Sequence, residues 1–258
     1  MMPATPDDHW WFKLTAPVRL ALEGRVGWEC GAMLAARPLL DLAPRGDGHP
    51  VLVFPQMFGG DLTTQPLRAY LQGLGYRAEP WRLGVNPGPS DQLLEACQAR
   101  LQELHREHRR RVSLVGWSLG GLYAREIAKA SPAAVRLVIT LGTPFTGKPS
   151  PAEIWQMSAR LTGEPMGLTE RHGPFERTPP VPTTSIYSRS DGIVPWRCSV
   201  ERPGPTTENI EIESSHLGLA VNPLVLYAIA DRLAQPEGGW RPFDRRGPRG
   251  WFYADPER

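Results

Sequence analysis

The sequence predicts an α/β fold: a doubly wound, mostly parallel six-stranded sheet with helices on both faces and a small cap insertion. Short apolar runs such as VLVFP (51–55) and SLVGW (113–117) carry no polar alternation, the mark of strands buried on both faces. Between such runs lie longer segments with helical spacing, so strands and helices alternate and imply right-handed crossovers. The 28 prolines and 26 glycines fall mainly between these segments, where they punctuate the chain.

Taken in order, Leu14–Leu42 is an Ala/Leu-rich helical stretch broken by Gly24, Gly27, Gly31 and Pro38, expected to pack on the outside of the domain. VLVFP is the first buried strand; the Gly-rich QMFGGD loop then leads into the helix LTTQPLRAYLQGLG. YRAEPWRL reads as a more exposed strand, and SDQLLEACQARLQELHREH as an amphipathic helix capped by Ser90 or Asp91. RVSLVGW, the helix 118–130 and the strand VRLVITLGTP continue the alternation. A Pro-rich segment, 145–182, interrupts it and holds one further helix, PAEIWQMSARLTG. The strands TTSIYSR and ENIEIE and the helix NPLVLYAIADRLA complete the pattern. Residues 1–50 are thus a helical segment packing on the core. Residues 51–258 form the main domain, with an insertion at about 145–182 and an aromatic, basic tail at about 236–258.

A net charge of +2 is too small to point to nucleic acid, so no nucleic-acid partner is expected. The cluster HREHRRR reads as a solvated helix end. Cys30, Cys97 and Cys198 are odd in number, far apart and without CxxC or CxxH spacing, which argues against a disulfide framework or a zinc site. No apolar run approaches the roughly 20 residues of a membrane span, and MMPATPDDHWWFK lacks the form of a secretory signal. The expected setting is cytoplasmic.

The chemistry-bearing motif is Gly116-Trp117-Ser118-Leu119-Gly120, a match to G-x-S-x-G. The five-residue pattern alone is weak, but it follows a buried strand and opens a helix, the context in which a strained turn exposes the serine oxygen. Serine is a poor nucleophile until a base takes its proton and a third group orients that base, in the chain order serine, acid, histidine. Only His172 and His216 lie downstream of Ser118. His172 sits in the Pro-rich insertion with no strand to fix it, whereas His216 follows a strand and precedes the last helix. His9, His49, His105 and His108 all precede the serine, and the last two share a charged helix face. Asp191, in the turn after TTSIYSR, is the expected acid. Asp61, Asp231, Glu211 and Glu213 fit order or position less well. The oxyanion donors expected are the Leu119 N–H and an N–H of the loop FPQMFGG, with Met57 preferred over its neighbour Phe58.

With these elements placed, the chain resembles the α/β-hydrolases, the bacterial esterase/lipase branch in particular. The segments that carry the likeness are VLVFPQMFGGD, VSLVGWSLGGLYARE, VITLGTPF, IYSRSDGIVPW and SSHLGLAVNP, spanning about 51–234. The resemblance implies a serine hydrolase with Ser118 as nucleophile, His216 as general base and acid and Asp191 as orienting acid. It implies no cofactor and no metal. The chain departs from the family at Pro55-Gln56, where His-Gly or Pro-Gly is usual, so Gln56 bears on the conformation of the oxyanion loop. The insertion 145–182 corresponds to the family's cap. Its Trp155, Met157, Leu161, Met166 and Phe175 either line an acyl pocket or form the cap's own core.

The reading is therefore hydrolysis of a small-molecule or lipid-like ester with an apolar acyl group. Two alternatives stay open: acyl transfer by the same triad, and a non-catalytic member that binds ligand in the pocket. The tail suits a lipid surface or a partner subunit by composition, with packing on its own domain the preferred reading. Oligomeric state does not follow from the sequence.

Overall fold

The computed structural model describes residues 16–147 and 167–254. Six strands form one sheet: β1 (Pro50–Phe54), β2 (Arg77–Pro80), β3 (Val112–Trp117), β4 (Val135–Leu141), β5 (Thr183–Tyr187) and β6 (Thr207–Glu211). Their spatial order is β2-β1-β3-β4-β5-β6. All five pairings are parallel, so the sheet is wholly parallel where mostly parallel was expected. The central strands β1, β3, β4 and β5 are buried along their whole length, the polar residues of β3, β4 and β5 included. The edge strand β2 is partly open and ends at Pro80, which could not donate to a neighbour on that side.

Seven helices surround the sheet among the described residues. Three short ones, α1 (Ala16–Glu23), α2 (Val26–Ala35) and α3 (Arg37–Leu40), realise the broken N-terminal stretch. They are followed by α4 (Gln65–Gly73), α5 (Asp91–His108), α6 (Leu119–Ala130) and α7 (Pro223–Leu233). Ser90 caps α5, its hydroxyl accepting from the Leu93 N–H at 3.2 Å, and the Asn222 side chain caps α7.

Pleating divides each strand between two cores. Val51 and Val53 of β1 join Leu40, Leu71, Ile139, Val225 and Ile229 on one face. Leu52 and Phe54 join Leu101, Leu114, Leu122, Tyr123 and Ile127 on the other. Phe175, from the Pro-rich segment, is buried in this second core with Leu119 and Leu122. The helix expected at 151–163, and with it Trp155, Met157, Leu161 and Met166, lies outside the described residues. The tail returns to the body: Phe243 and Tyr253 are buried, and the Tyr253 hydroxyl donates to the Leu224 carbonyl at 2.9 Å. None of Cys30, Cys97 and Cys198 is in a disulfide. Among the described residues no helix is long and apolar enough to cross a membrane, and no cluster of metal-ligating side chains occurs.

Candidate active site

Ser118, Asp191 and His216 follow the carboxyl ends of β3, β5 and β6. Ser118 sits between β3 and α6 with φ 54° and ψ −123°, a left-handed conformation that costs a non-glycine residue on the order of 1–3 kcal/mol. The turn is tight enough that a Cβ on Gly116 would lie 2.4 Å from Gly121 Cα, and one on Gly120 2.5 Å from the Phe54 carbonyl. Both flanking glycines are therefore imposed by backbone approach. The bend leaves Ser118 partly exposed while Trp117 and Leu119 on either side are buried.

His216 Nδ1 lies 2.6 Å from Asp191 Oδ2, and both residues are buried. The second Asp191 oxygen accepts from the Ile193 and Val194 N–H groups at 2.8 and 2.7 Å, an Asx turn that aims the first at the imidazole. With Nδ1–H donating to the carboxylate, Nε2 is the nitrogen left to accept a proton. Burial works against the imidazolium, but the Asp191 charge and hydrogen bond, with Glu23 behind them, outweigh it. The His216 pKa is held above its ordinary 6.5.

Ser118 and His216 each lie against the end of β4. The Ser118 N–H donates to the Leu141 carbonyl at 2.8 Å. A Cβ on the next residue, Gly142, would stand 3.1 Å from both Asp191 Oδ2 and His216 Nδ1. The indole of Trp117 donates to the His216 carbonyl at 3.1 Å, tying the elbow to the histidine loop directly. Ser118 Oγ makes no hydrogen bond among the described residues.

The loop after β1 lies against the start of α6 through the Phe54–Pro55 carbonyls at Gly120. Phe58 has φ 61° and its N–H is taken by the Asn86 carbonyl at 2.8 Å. The N–H groups of Met57 and Leu119 donate to no described residue. The Gln56 departure has a local use: its side-chain oxygen accepts from Thr63 Oγ1 at 3.2 Å, folding back over Gly59. Buried Asn86 completes the brace by donating to the Pro55 carbonyl at 3.0 Å. That role was not visible in the sequence, where Asn86 stands in an unremarkable Pro/Gly loop.

The other expectations fall out as follows. His172 lies in an irregular stretch of the Pro-rich segment. Asp231 pairs with Arg232, and Glu211 accepts from Arg189 at 2.8 Å. Glu213 accepts from Ser190 Oγ at 2.5 Å, and the Asp61 carbonyl accepts from Arg68. His105 is half-buried and its Nδ1 meets the Arg110 carbonyl at 2.8 Å, so the two helix histidines are less solvated than expected. The N-terminal stretch is more than outer packing: Glu23 and Glu29 are buried and reach the His216 loop. A buried ion pair, Arg125–Glu201, anchors α6 with the guanidinium 3.8 Å above the Phe145 ring.

The sequence matches no protein-family model and no curated protein. Solved structures of similar fold are found at low identity. The Aspergillus fumigatus lipase B is 20% identical over 74% of this chain, with a TM-score of 0.59. The chain spans 54% of that lipase's length. The Paleococcus ferrophilus monoacylglycerol lipase is 15% identical, the match covering 74% of this chain and 96% of that one, at a TM-score of 0.53. A pyrethroid hydrolase from Sphingobium faniae is 19% identical over 73% of this chain and 98% of its own, at 0.52.

Proposed function

We propose that this chain, which has the α/β-hydrolase fold, is a serine hydrolase of carboxylic esters with apolar acyl groups, working through an acyl-enzyme. The observation that carries the reading is the strained, partly exposed Ser118, tied through its N–H to Leu141, with the 2.6 Å His216–Asp191 pair packed against the adjoining Gly142. In the first step Ser118 Oγ attacks the ester carbonyl as His216 Nε2 takes its proton, and Asp191 stabilises the imidazolium. The oxyanion is held by the N–H groups of Leu119 and Met57, each worth on the order of 3 kcal/mol in the transition state. The imidazolium then protonates the leaving alcohol, and the neutral ring activates water to release the acid.

Two features support an apolar substrate. Phe58 and Ile193, 56% and 43% exposed, stand on the loops that bear Met57 and Asp191. Met57 packs against the core that holds Leu119 and Phe175. The similar structures, named as lipases and a hydrolase, agree with hydrolytic chemistry.

The test is a panel of p-nitrophenyl esters of increasing acyl length, run beside Ser118→Ala. Hydrolysis that depends on Ser118 and favours longer acyl chains supports the reading; hydrolysis unchanged in Ser118→Ala overturns it. The rate should fall toward acid with a midpoint above pH 6.5, because the raised His216 pKa fills the base with a proton before an ordinary histidine would be. A rate flat down to about pH 4.5 would exclude His216 as the base.

A further inference from the structure

We propose that Glu23 and Glu29, on the N-terminal helices α1 and α2, are positioning residues that clamp the His216 and Asp191 loops in catalytic register. The inference rests on the serine-hydrolase reading above. Glu23 Oε1 accepts from the Gly192 N–H at 2.8 Å and the His216 N–H at 3.1 Å, so a single oxygen ties the acid loop to the base loop. Its Oε2 accepts from the Leu217 N–H at 2.8 Å. Glu29 fixes the base loop alone, one step upstream: Oε1 accepts from the Ser215 N–H at 2.9 Å, Ser214 Oγ at 2.7 Å and Asn222 Nδ2 at 3.5 Å, and Oε2 from Ser215 Oγ. Arg25, between the helices, donates to the Ser190 carbonyl at 2.8 Å, just before Asp191.

Burying a carboxylate is costly unless its charge is met by hydrogen bonds. Both glutamates are at least nine-tenths buried, and their partners among the described residues are N–H groups and hydroxyls rather than a cation. The fit is tight: a Cβ on Gly192 would lie 2.9 Å from Glu23 Oε1, and one on Gly218 would overlap Glu29 Oε2. The three donors to Glu23 lie within one residue of Asp191 or His216, and Ser214 and Ser215, which Glu29 holds, come immediately before His216. A stability role alone would not need this concentration; holding two loops whose separation sets the Asp191–His216 contact does.

The clamp also has an electrostatic consequence. The charged groups facing the His216 ring are Asp191 from the loop after β5 and Glu23 from α1. Glu29 sits behind Ser215, and the buried Cys198 thiol faces Asp191. Glu23 therefore adds to the field that favours the imidazolium.

The experiment compares the wild type with Glu23→Gln and Glu23→Asp by two readouts. The first is the His216 titration, followed by NMR of ¹³C-labelled histidine in a chain of six histidines. The second is kcat and KM on p-nitrophenyl butyrate. Glu23→Gln removes the charge and sets an amide NH₂ against N–H donors. It should lower the His216 pKa and cut kcat by about 10- to 100-fold with KM little changed. Glu23→Asp keeps the charge but not the reach, so it should restore the titration while kcat stays reduced. If Glu23→Gln does not fold, Glu23→Asp decides: kcat equal to wild type with unchanged exchange of the Gly192, His216 and Leu217 amides overturns the clamp. A folded Glu23→Gln with wild-type titration and kcat also overturns it. A wild type that neither hydrolyses esters nor reacts at Ser118 defeats the hydrolase reading instead, while the titration still reports on the clamp.

Discussion

Among the described residues stand two Ser–His–Asp constellations, one at each end of the parallel sheet. At the carboxyl ends stand Ser118, His216 and Asp191. At the amino ends, His49 Nδ1 lies 2.5 Å from Asp47 Oδ1 and His49 Nε2 2.9 Å from Ser113 Oγ. By hydrogen-bond geometry alone the second set is the more complete triad. The differences lie elsewhere. Ser113 is fully buried within β3, in register with Val51 and Leu137, whereas Ser118 is turned out on a positive-φ hinge ahead of a helix N-terminus. The imidazoles also differ in their company. Burial, aided by the Arg136 guanidinium 3.0 Å away, depresses His49 to about 4 against the pull of Asp47, whereas His216, flanked by two carboxylates, is raised. The surroundings of one imidazole favour its neutral form, those of the other its charged form.

The comparison breaks most decisively at the serines. Ser118→Ala should reduce kcat by about 10⁴- to 10⁶-fold, while Ser113→Ala should leave ester hydrolysis within about twofold, measured on the same substrate. A catalytic loss in Ser113→Ala would overturn the assignment. The acids should differ nearly as much. Asp191→Asn should cost on the order of 10⁴-fold in kcat by favouring the wrong imidazole tautomer, and Asp47→Asn should lower stability only, as read by urea unfolding beside the ester assay.

His49 sharpens the contrast through stability. Its folded pKa lies below the unfolded value near 6.5, so its contribution is fully present above pH 6.5. It is lost as pH falls from 6.5 to about 4, where the unfolded chain takes a proton that the folded chain refuses. The loss amounts to roughly 3 kcal/mol, and denaturant midpoints at pH 7 and 4.5 should converge in His49→Gln relative to wild type. The smallest effect expected is Ser113→Ala itself, about 1–3 kcal/mol of stability for leaving His49 Nε2 without its partner.

How legible these features were in the sequence follows from the range of the contacts involved. The six strands, the Ser118 turn and the placement of Asp191 and His216 after strands were readable, because each depends on local pattern: an unbroken apolar run, a glycine pair, a turn after a strand. His49 was set aside because it precedes the serine. Its real partner, Ser113, becomes adjacent only through the β1–β3 register, which no local window contains. Glu23 and Glu29 were hidden more deeply. They lie in the stretch expected only to pack on the outside, and their partners stand 169 to 194 residues away. The one trace they leave is indirect, in the glycines at 192 and 218 that make room for the carboxylates.

The claim that Ser118 is the reactive serine is tested most directly by a fluorophosphonate probe, with the adduct located by peptide mass spectrometry. A single adduct is expected on Ser118, formed by the wild type and lost in His216→Ala, with Ser113 unmodified. A wild type that stays unlabelled while folded, or an adduct on any other serine, would contradict it.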